Sequence, residues 1–493
     1  MTTSDEQARG APTRGSTGDR ARGALMGLAA GDAVGTTVEF CAPGSFTPLT
    51  DMVGGGPFDL APGQWTDDTS MALCLAESLV DCGDHDPIDQ MRRYTKWWRH
   101  GYLSSTGHCF DIGVTTSTEL RRFESTGEAF ADAVDEERAA NGSLMRLAPV
   151  SIRWFADADA VVERAAASSR PTHPARRPTD TCRVLAAMTA ALIRGEPFAR
   201  VIAADFWRGG ALHPEVEAVA RGSWRDRRPP EIRGTGFCVD ALEAAIWATV
   251  GADDFAEAVL RAANLGDDAD TTAAIAGQLA GARFGATGIP ETWRERLASR
   301  TRIESLADAL HADALGAERV WARDDDLHAW WAEDRVLAGE YPGDADARHA
   351  RNKLDLLVDA GVRTIIDLTT DDDPLVRYDD VVRQLVTDRR IELAIRRHPI
   401  PDVSVRPDDG YVEILDEIRH ALAATDGAVF VHCWGGIGRT GTVIGLRYVE
   451  GGDHGADALE RLRTARAATR KAHRPSPETP EQRAVIGRWA DRR

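Results

Sequence analysis

Ala428-Val429-Phe430-Val431-His432 runs without a break into Cys433-Trp434-Gly435-Gly436-Ile437-Gly438-Arg439-Thr440-Gly441. The first residues are β-branched or aromatic, as in a strand buried on both faces. From Gly441 to Val449 apolar residues recur at helical spacing. A strand that feeds a glycine-rich loop and then a helix belongs to an α/β architecture. Consecutive backbone N–H groups from Trp434 to Arg439 can curl around a phosphate only where glycine frees the chain. The helix N-terminus behind them adds positive potential, and Arg439 can grip two phosphate oxygens at once. Such a field favours a thiolate at Cys433, which makes it a nucleophile beside a held phosphate.

Outward from this loop, Val362–Leu368 (VRTIIDL) reads as a second buried strand, and Ala347–Ala360 and Gly410–Ala423 read as helices. The texture changes near Trp321–Leu327, where Asp324-Asp325-Asp326 precedes Trp330-Trp331, and we place a domain boundary there, with an α/β domain over 322–493. Before it, over 21–320, the chain is alanine-rich and helical in period. Ser70–Val80, Val161–Ser168, Thr181–Arg194, Val239–Val250, Ala256–Ala263 and Thr272–Phe284 carry the pattern. Clusters such as Gly54-Gly55-Gly56-Pro57 and Arg227-Arg228-Pro229-Pro230 punctuate it. This half reads as all-α, and residues 1–20, polar and without an apolar run, read as a disordered tail.

Composition bounds the partners. The 493 residues carry a net charge of −19, with 43% hydrophobic and 28% charged, the make-up of a globular protein. An acidic chain argues against a nucleic-acid backbone or an anionic membrane as partner, and no apolar stretch reaches spanning length. The 7 cysteines are scattered, odd in number and without a C-x-x-C pair, so neither a disulfide framework nor structural zinc is expected, and a cytoplasmic location is. Lys96, Lys353 and Lys471 are the only lysines among 59 basic residues, so an arginine cluster carries little weight here.

Two acidic clusters stand out: Trp65-Thr66-Asp67-Asp68-Thr69 and Gly266-Asp267-Asp268-Ala269-Asp270-Thr271, each ahead of a helix. One such cluster alone is ordinary helix capping. Two, rich in hard oxygens and lacking cysteine or histidine, point to a Mg²⁺ or Mn²⁺ site, because converging carboxylates repel unless cations lie between them.

The loop His432-Cys433-x5-Arg439-Thr440 resembles the signature of the protein tyrosine and dual-specificity phosphatases. The resemblance implies that Cys433 forms a phosphocysteine, Arg439 binds the phosphoryl group, Thr440 hydrogen-bonds the leaving sulfur and His432 helps set the thiolate. Trp434, Gly435, Gly436, Ile437 and Gly438 would form the phosphate cradle. Asp402, in His398-Pro399-Ile400-Pro401-Asp402 and 31 residues before the cysteine, matches the family's acid. Ser476-Pro477-Glu478-Thr479-Pro480-Glu481-Gln482 resembles its glutamine loop, with Gln482 positioning water. No cofactor is expected in this half.

Gly23-x3-Gly27-x3-Gly31-Asp32-x2-Gly35-x3-Glu39, Gly107–Gly113 (GHCFDIG), Ala140–Arg146 (ANGSLMR) and Ser169–His173 (SRPTH), taken with the acidic clusters, resemble the ADP-ribosylglycohydrolase family in its dinitrogenase-reductase-activating branch. That resemblance implies an all-α fold and two Mg²⁺ (or Mn²⁺) ions held by Thr66, Asp67, Asp68, Asp268, Asp270 and Thr271, with Glu39 close by. Asn141, Gly142, Ser143 and His173 would line the ADP-ribose pocket, with glycine-loop amides on the diphosphate, and Asp111 would handle a proton at the glycosidic carbon. The structural alternatives are helix–helix packing for the early glycines, a surface ion pair for Arg146 and a loop position for His173. The family commonly has Gly-Gly-Asp where this chain has Gly266-Asp267-Asp268, so Asp267 either crowds the site or points to solvent.

The expectation is a bifunctional hydrolase that removes ADP-ribose from a modified protein or small molecule and phosphate from a phosphorylated substrate. The alternative is an ADP-ribose-binding module that delivers an active phosphatase. A coupled substrate, ADP-ribose bearing an extra phosphate such as a 1″-phosphate, would link the two halves.

Overall fold

The computed structural model describes residues 13–131, 133–316, 321, 323–333, 335–425 and 427–490. The chain divides into two compact units, Met1–Ala317 and Glu318–Arg493. No helix among the described residues is long and apolar enough to cross a membrane.

The first unit is helical. Its described β pairing amounts to two isolated bridges, Gly55 with Leu60 and Ala140 with Phe237. Three helices build the site: α1 (Thr17–Gly35), α2 (Asp67–Cys82) and α3 (Ala269–Phe284). α1 opens inside the stretch read as a tail. Ser16 caps it by accepting from Asp19 N at 3.1 Å, and the buried Asp19 carboxylate accepts from Gly15 N at 2.8 Å and from Thr287 N and Oγ1 at 3.0 Å. Thr287 lies 268 residues along the chain, so local composition could not announce it. Residues 1–12 of the expected tail lie outside the described residues.

Four glycines of α1 serve packing. Gly23, Gly27, Gly31 and Gly35 recur every fourth residue and lie on one helix face. A β-carbon at each would fall 2.2, 2.2, 2.1 and 2.4 Å from the carbonyl oxygens of Gly281, Gly277, Ala273 and Ala269 of α3. The four are helical, not loop, residues. The close seam carries Asp32 of α1 to the N-terminal ends of α2 and α3.

The second unit is a five-stranded sheet with helices on both faces. Its strands are β1 (Ala329–Glu333), β2 (Val336–Gly339), β3 (Val362–Asp367), β4 (Ala394–Arg397) and β5 (Ala428–His432), in the order β1-β2-β5-β3-β4. All pair in parallel except β1, which runs antiparallel to β2. β5 is central and alternates strictly: Val429 and Val431 enter the core with Val443 and Ile444, while Ala428 and Phe430 enter the other with Leu354 and Ile365. Three helices frame the functional end: α4 (Asp408–Ala424), α5 (Gly438–Glu450) and α6 (Pro480–Ala490). His432 ends β5 in register with Gly339 of β2 and Asp367 of β3. The loop that follows therefore opens at the carboxyl edge of the sheet, where ligands bind in open α/β folds.

Candidate active sites

In the helical unit the two acidic clusters meet. Thr66 Oγ1 donates to Asp270 Oδ2 at 3.2 Å, and Thr271 Oγ1 donates to Asp68 Oδ1 at 3.2 Å, each contact spanning some 200 residues of chain. Carboxylate oxygens of Glu39, Asp111 and Asp270 all lie within 4.8 Å of one another. Helix capping does not account for this. Thr66 and Asp268 are the N-cap residues of α2 and α3, yet neither side chain caps a backbone N–H of its own helix. Asp268 instead accepts from Asn141 Nδ2 at 2.6 Å. Beneath them the buried Asp32 carboxylate accepts four hydrogen bonds, from N and Oγ1 of Thr66 and of Thr69, at 2.6–3.0 Å.

Packing so many acids out of water raises their carboxyls. Burial, with Asp270 and Asp111 nearby, pushes Glu39 up to about 12. Burial and neighbouring carboxylates likewise hold Asp67, Asp68 and Asp270 well above the ordinary range. Asp32 and Asp268 rise to about 6, and Asp111 also rises, in each case chiefly through burial. Glu39 Oε2, Asp68 Oδ2 and Asp270 Oδ1 are buried without a hydrogen-bond partner. A buried polar atom left unpaired is costly, and hard divalent cations are the partner that this all-oxygen set fits.

Of the four residues expected to line the ADP-ribose pocket, Asn141 joins the acidic centre through Asp268. Ser143 and His173 are buried behind it. Ser143 Oγ lies 2.8 Å from Ser169 Oγ and 3.4 Å from Cys182 Sγ. His173 Nδ1 lies 2.8 Å from Thr172 Oγ1, its ring lies against Gly142, and burial lowers it to about 3. His173 is thus no loosely held loop residue. Arg146 is no surface ion pair: it is buried, donates to Thr172 Oγ1 at 2.7 Å and lies over the Tyr94 ring.

In the α/β unit, Cys433 and Arg439 are 3% and 1% exposed and begin the turn into α5. Gly436 has φ +70°, and a β-carbon there would fall 2.5 Å from the Gly339 carbonyl carbon, so only glycine serves. Arg439 makes two parallel bonds to Asp373, at 2.8 and 3.1 Å, one to the Ile400 carbonyl at 3.0 Å and a fourth contact to Asp402 at 2.9 Å. Burial alone would raise Asp373, but the guanidinium overrides it and holds the carboxyl below its usual value. Burial lowers His432 and raises Tyr378 well above its ordinary value, and the Tyr378 hydroxyl lies 2.7 Å from His432 Nε2.

Two expected roles meet other partners. Thr440 Oγ1 donates to the Gly339 carbonyl at 3.5 Å. Gln482 is buried, accepts from Glu478 N and Thr479 N at 3.1 and 3.2 Å, and donates to Ser404 O at 3.2 Å, which ties its loop to the segment after Asp402. Ile437 is buried, while Trp434 is 45% exposed and lines a cavity with Cys433.

Residues 13–320 match the family profile described as ADP-ribosylglycohydrolase. The chain belongs to the ADP-ribosylglycohydrolase family. An ADP-ribosylarginine hydrolase Tri1 of Serratia proteamaculans (strain 568) is 42% identical over 299 residues, covering 59% of this chain and 79% of that protein. An ADP-ribosyl-[dinitrogen reductase] glycohydrolase of Rhodospirillum rubrum is 32% identical over 302 residues, covering 60% and 96%. A solved ADP-ribosylglycohydrolase-related protein complex aligns with TM-score 0.54 at 41% identity, over 61% of this chain and 99% of that one. Residues 341–453 match a second profile, described as polymorphic toxin system, DSP-PTPase phosphatase.

Within this ADP-ribosylglycohydrolase, Asp267 reaches solvent. Its side chain is exposed, with φ +59°, while its backbone accepts from Phe40 N at 2.7 Å and donates to Cys41 O at 2.8 Å, beside Glu39. Sequence reasoning missed Asp32 and Asp373 as site residues. Asp32 was readable in part, as the lone acid inside the glycine repeat. Asp373 closes Asp371-Asp372-Asp373, a run that resembles any solvated acidic turn.

Proposed function

We propose that the chain is a bifunctional hydrolase: its helical unit hydrolyses the bond between ADP-ribose and a modified arginine, and its α/β unit hydrolyses a phosphate monoester through Cys433. The three buried, unpaired carboxylate oxygens support the first activity most directly. Thr66, Asp67, Asp68, Asp268, Asp270 and Thr271 would hold a pair of Mg²⁺ or Mn²⁺ ions, with Glu39 at their edge. Such ions, when bound, orient ribose hydroxyls and lower the pKa of water. The protein's part is to fix the acids. Asp32 pins Thr66 and Thr69, Asn141 orients Asp268, and Asp111 takes the proton from the water that attacks the glycosidic carbon, as the bond to the arginine nitrogen breaks and that nitrogen is protonated. The two Tri1 relatives, both named ADP-ribosylarginine hydrolases at 42% identity, favour arginine as acceptor.

In the second unit, Cys433 Sγ attacks phosphorus and the bond to the leaving oxygen breaks, with Asp402 donating its proton to that oxygen. Water then attacks the phosphocysteine, Asp402 takes the proton back, and phosphate leaves as the thiolate returns. Arg439, pre-oriented by Asp373, faces the transferring oxygens throughout. Seven free cysteines support a reducing, cytoplasmic setting.

Incubation with an ADP-ribosylated arginine peptide should release ADP-ribose with Mg²⁺ and not after chelation, and Asp270→Ala should abolish release. Full release in chelator would overturn the metal site. Cys433→Ser should abolish aryl phosphate hydrolysis and leave ADP-ribose release intact.

A further inference from the structure

The floor of the phosphatase cavity is Cys433 and its glycine loop; the walls carry both charges, with Lys353, Lys471 and Arg474 set among Glu340, Asp402 and Glu478. The cavity holds about 540 Å³, within the range of sites for whole small molecules and larger than a phosphoryl group needs. The three cations come from two separate stretches of chain, Lys353 from one and Lys471 and Arg474 from the other. Each is fixed by an acid: Lys353 by Asp344 at 3.2 Å, Lys471 by Glu340 at 2.6 Å and Arg474 by Glu478 at 2.7 Å. Lys471 also donates to the Gly435 carbonyl at 3.0 Å, on the loop itself. An ammonium has three donors. These contacts use one of Lys353's and two of Lys471's, which leaves donors for an incoming anion.

Composition sharpens the point. The whole sequence has three lysines among its 59 basic residues, and two of the three line this one cavity. Where a positive charge alone is needed this chain carries arginine; the compact, rotatable ammonium is kept here. Trp434 also lines the cavity and is 45% exposed, and an exposed indole is a ring on which a planar base stacks.

We infer that the phosphatase cavity takes a nucleotide-type small molecule: a terminal phosphate monoester over Cys433, a second phosphate group on Lys353 and Arg474, and a planar ring on Trp434. The inference rests on the phosphatase reading of Cys433. It gives a structural reason for a coupled substrate, an ADP-ribose that carries an additional monoester.

The test compares ADP-ribose 1″-phosphate, adenosine 3′,5′-bisphosphate, ribose 5-phosphate and a phosphotyrosyl peptide as substrates of the full chain. A nucleotide should exceed ribose 5-phosphate in kcat/KM by about tenfold or more, the scale of one charge-assisted contact. Lys353→Ala with Arg474→Ala should erase that advantage through KM and leave ribose 5-phosphate within about twofold of its original rate. In Cys433→Ser, calorimetry should show the same order of affinities without turnover. Equal losses on all substrates, or preference for the phosphotyrosyl peptide, would overturn the inference. Survival of activity in Cys433→Ser would instead overturn the phosphatase reading itself.

Discussion

Gly27 of α1 and Gly277 of α3 meet backbone to backbone: a β-carbon on Gly27 would fall 2.2 Å from the Gly277 carbonyl oxygen, and one on Gly277 would fall 2.0 Å from that of Gly27. The obstacle on each side is main chain, which cannot swing aside. The seam is what delivers Asp32 and Asp270 to one place, so packing and chemistry share a determinant. Gly27→Ala should destabilise the helical unit by about 1–3 kcal/mol. A fall in its thermal midpoint of several degrees, followed by circular dichroism, would register this; an unchanged midpoint would show that the helices can part at no cost.

Cation loading of the acidic centre should depend on pH in a defined direction. Asp32 and Asp268 stand at about 6 and Glu39 at about 12, all above their unfolded values of 3.8 and 4.5. The folded state therefore holds extra protons, and the stability they contribute is complete below about pH 4 and is lost as pH rises through 6 and beyond. Cations replace those protons. The rise in melting temperature on adding Mg²⁺ should be larger at pH 8 than at pH 5, and Asp68→Asn with Asp270→Asn should flatten the difference.

Much of this was legible in the sequence because the signals were local. The strand–loop–helix at 428–449 could be read from alternation, glycine and helical spacing, and the structure places β5 and α5 there. The helices after both acidic clusters were readable too, with α2 and α3 each starting a few residues earlier than periodicity predicted. Long-range partners were not legible. β2 and β4 have four residues each, too short for alternation to declare. Ser143, Gln482 and Thr440 sit in recognisable motifs, yet their hydroxyl and amide groups bond Ser169, Ser404 and Gly339, choices that only the folded chain makes.

His173 supplies a second pH signature, of opposite sense. Burial lowers its folded value to about 3, below the unfolded 6.5. Between those values the unfolded chain binds the extra proton, so the stability associated with a neutral His173 is intact above pH 6.5 and is lost as pH falls toward 3. Replacing it with glutamine should lower stability at pH 7 by removing the contact with Thr172. The gap between wild type and His173→Gln should then narrow at pH 5, as read from denaturant midpoints. A gap independent of pH would mean that His173 is protonated or exposed.

Asp373 and Asp402 both face Arg439 but should fail differently. Asp373 is buried and holds the guanidinium by two bonds, whereas Asp402 is half-exposed and makes a single contact that an arriving phosphate can replace. Asp373→Asn removes the charge that orients Arg439, so kcat should drop for every phosphate monoester, whatever its leaving group. Asp402→Asn removes a proton donor; losses of about 100-fold or more are expected for an alkyl phosphate, and much smaller ones for a nitrophenyl phosphate, whose leaving group departs without a proton. The pH–rate profile separates the two as well, because only the Asp402 variant should lose the limb on which the acid must be protonated. Equal sensitivity of both variants to the leaving group would remove Asp402 from the acid's role and leave Arg439 with two merely structural partners.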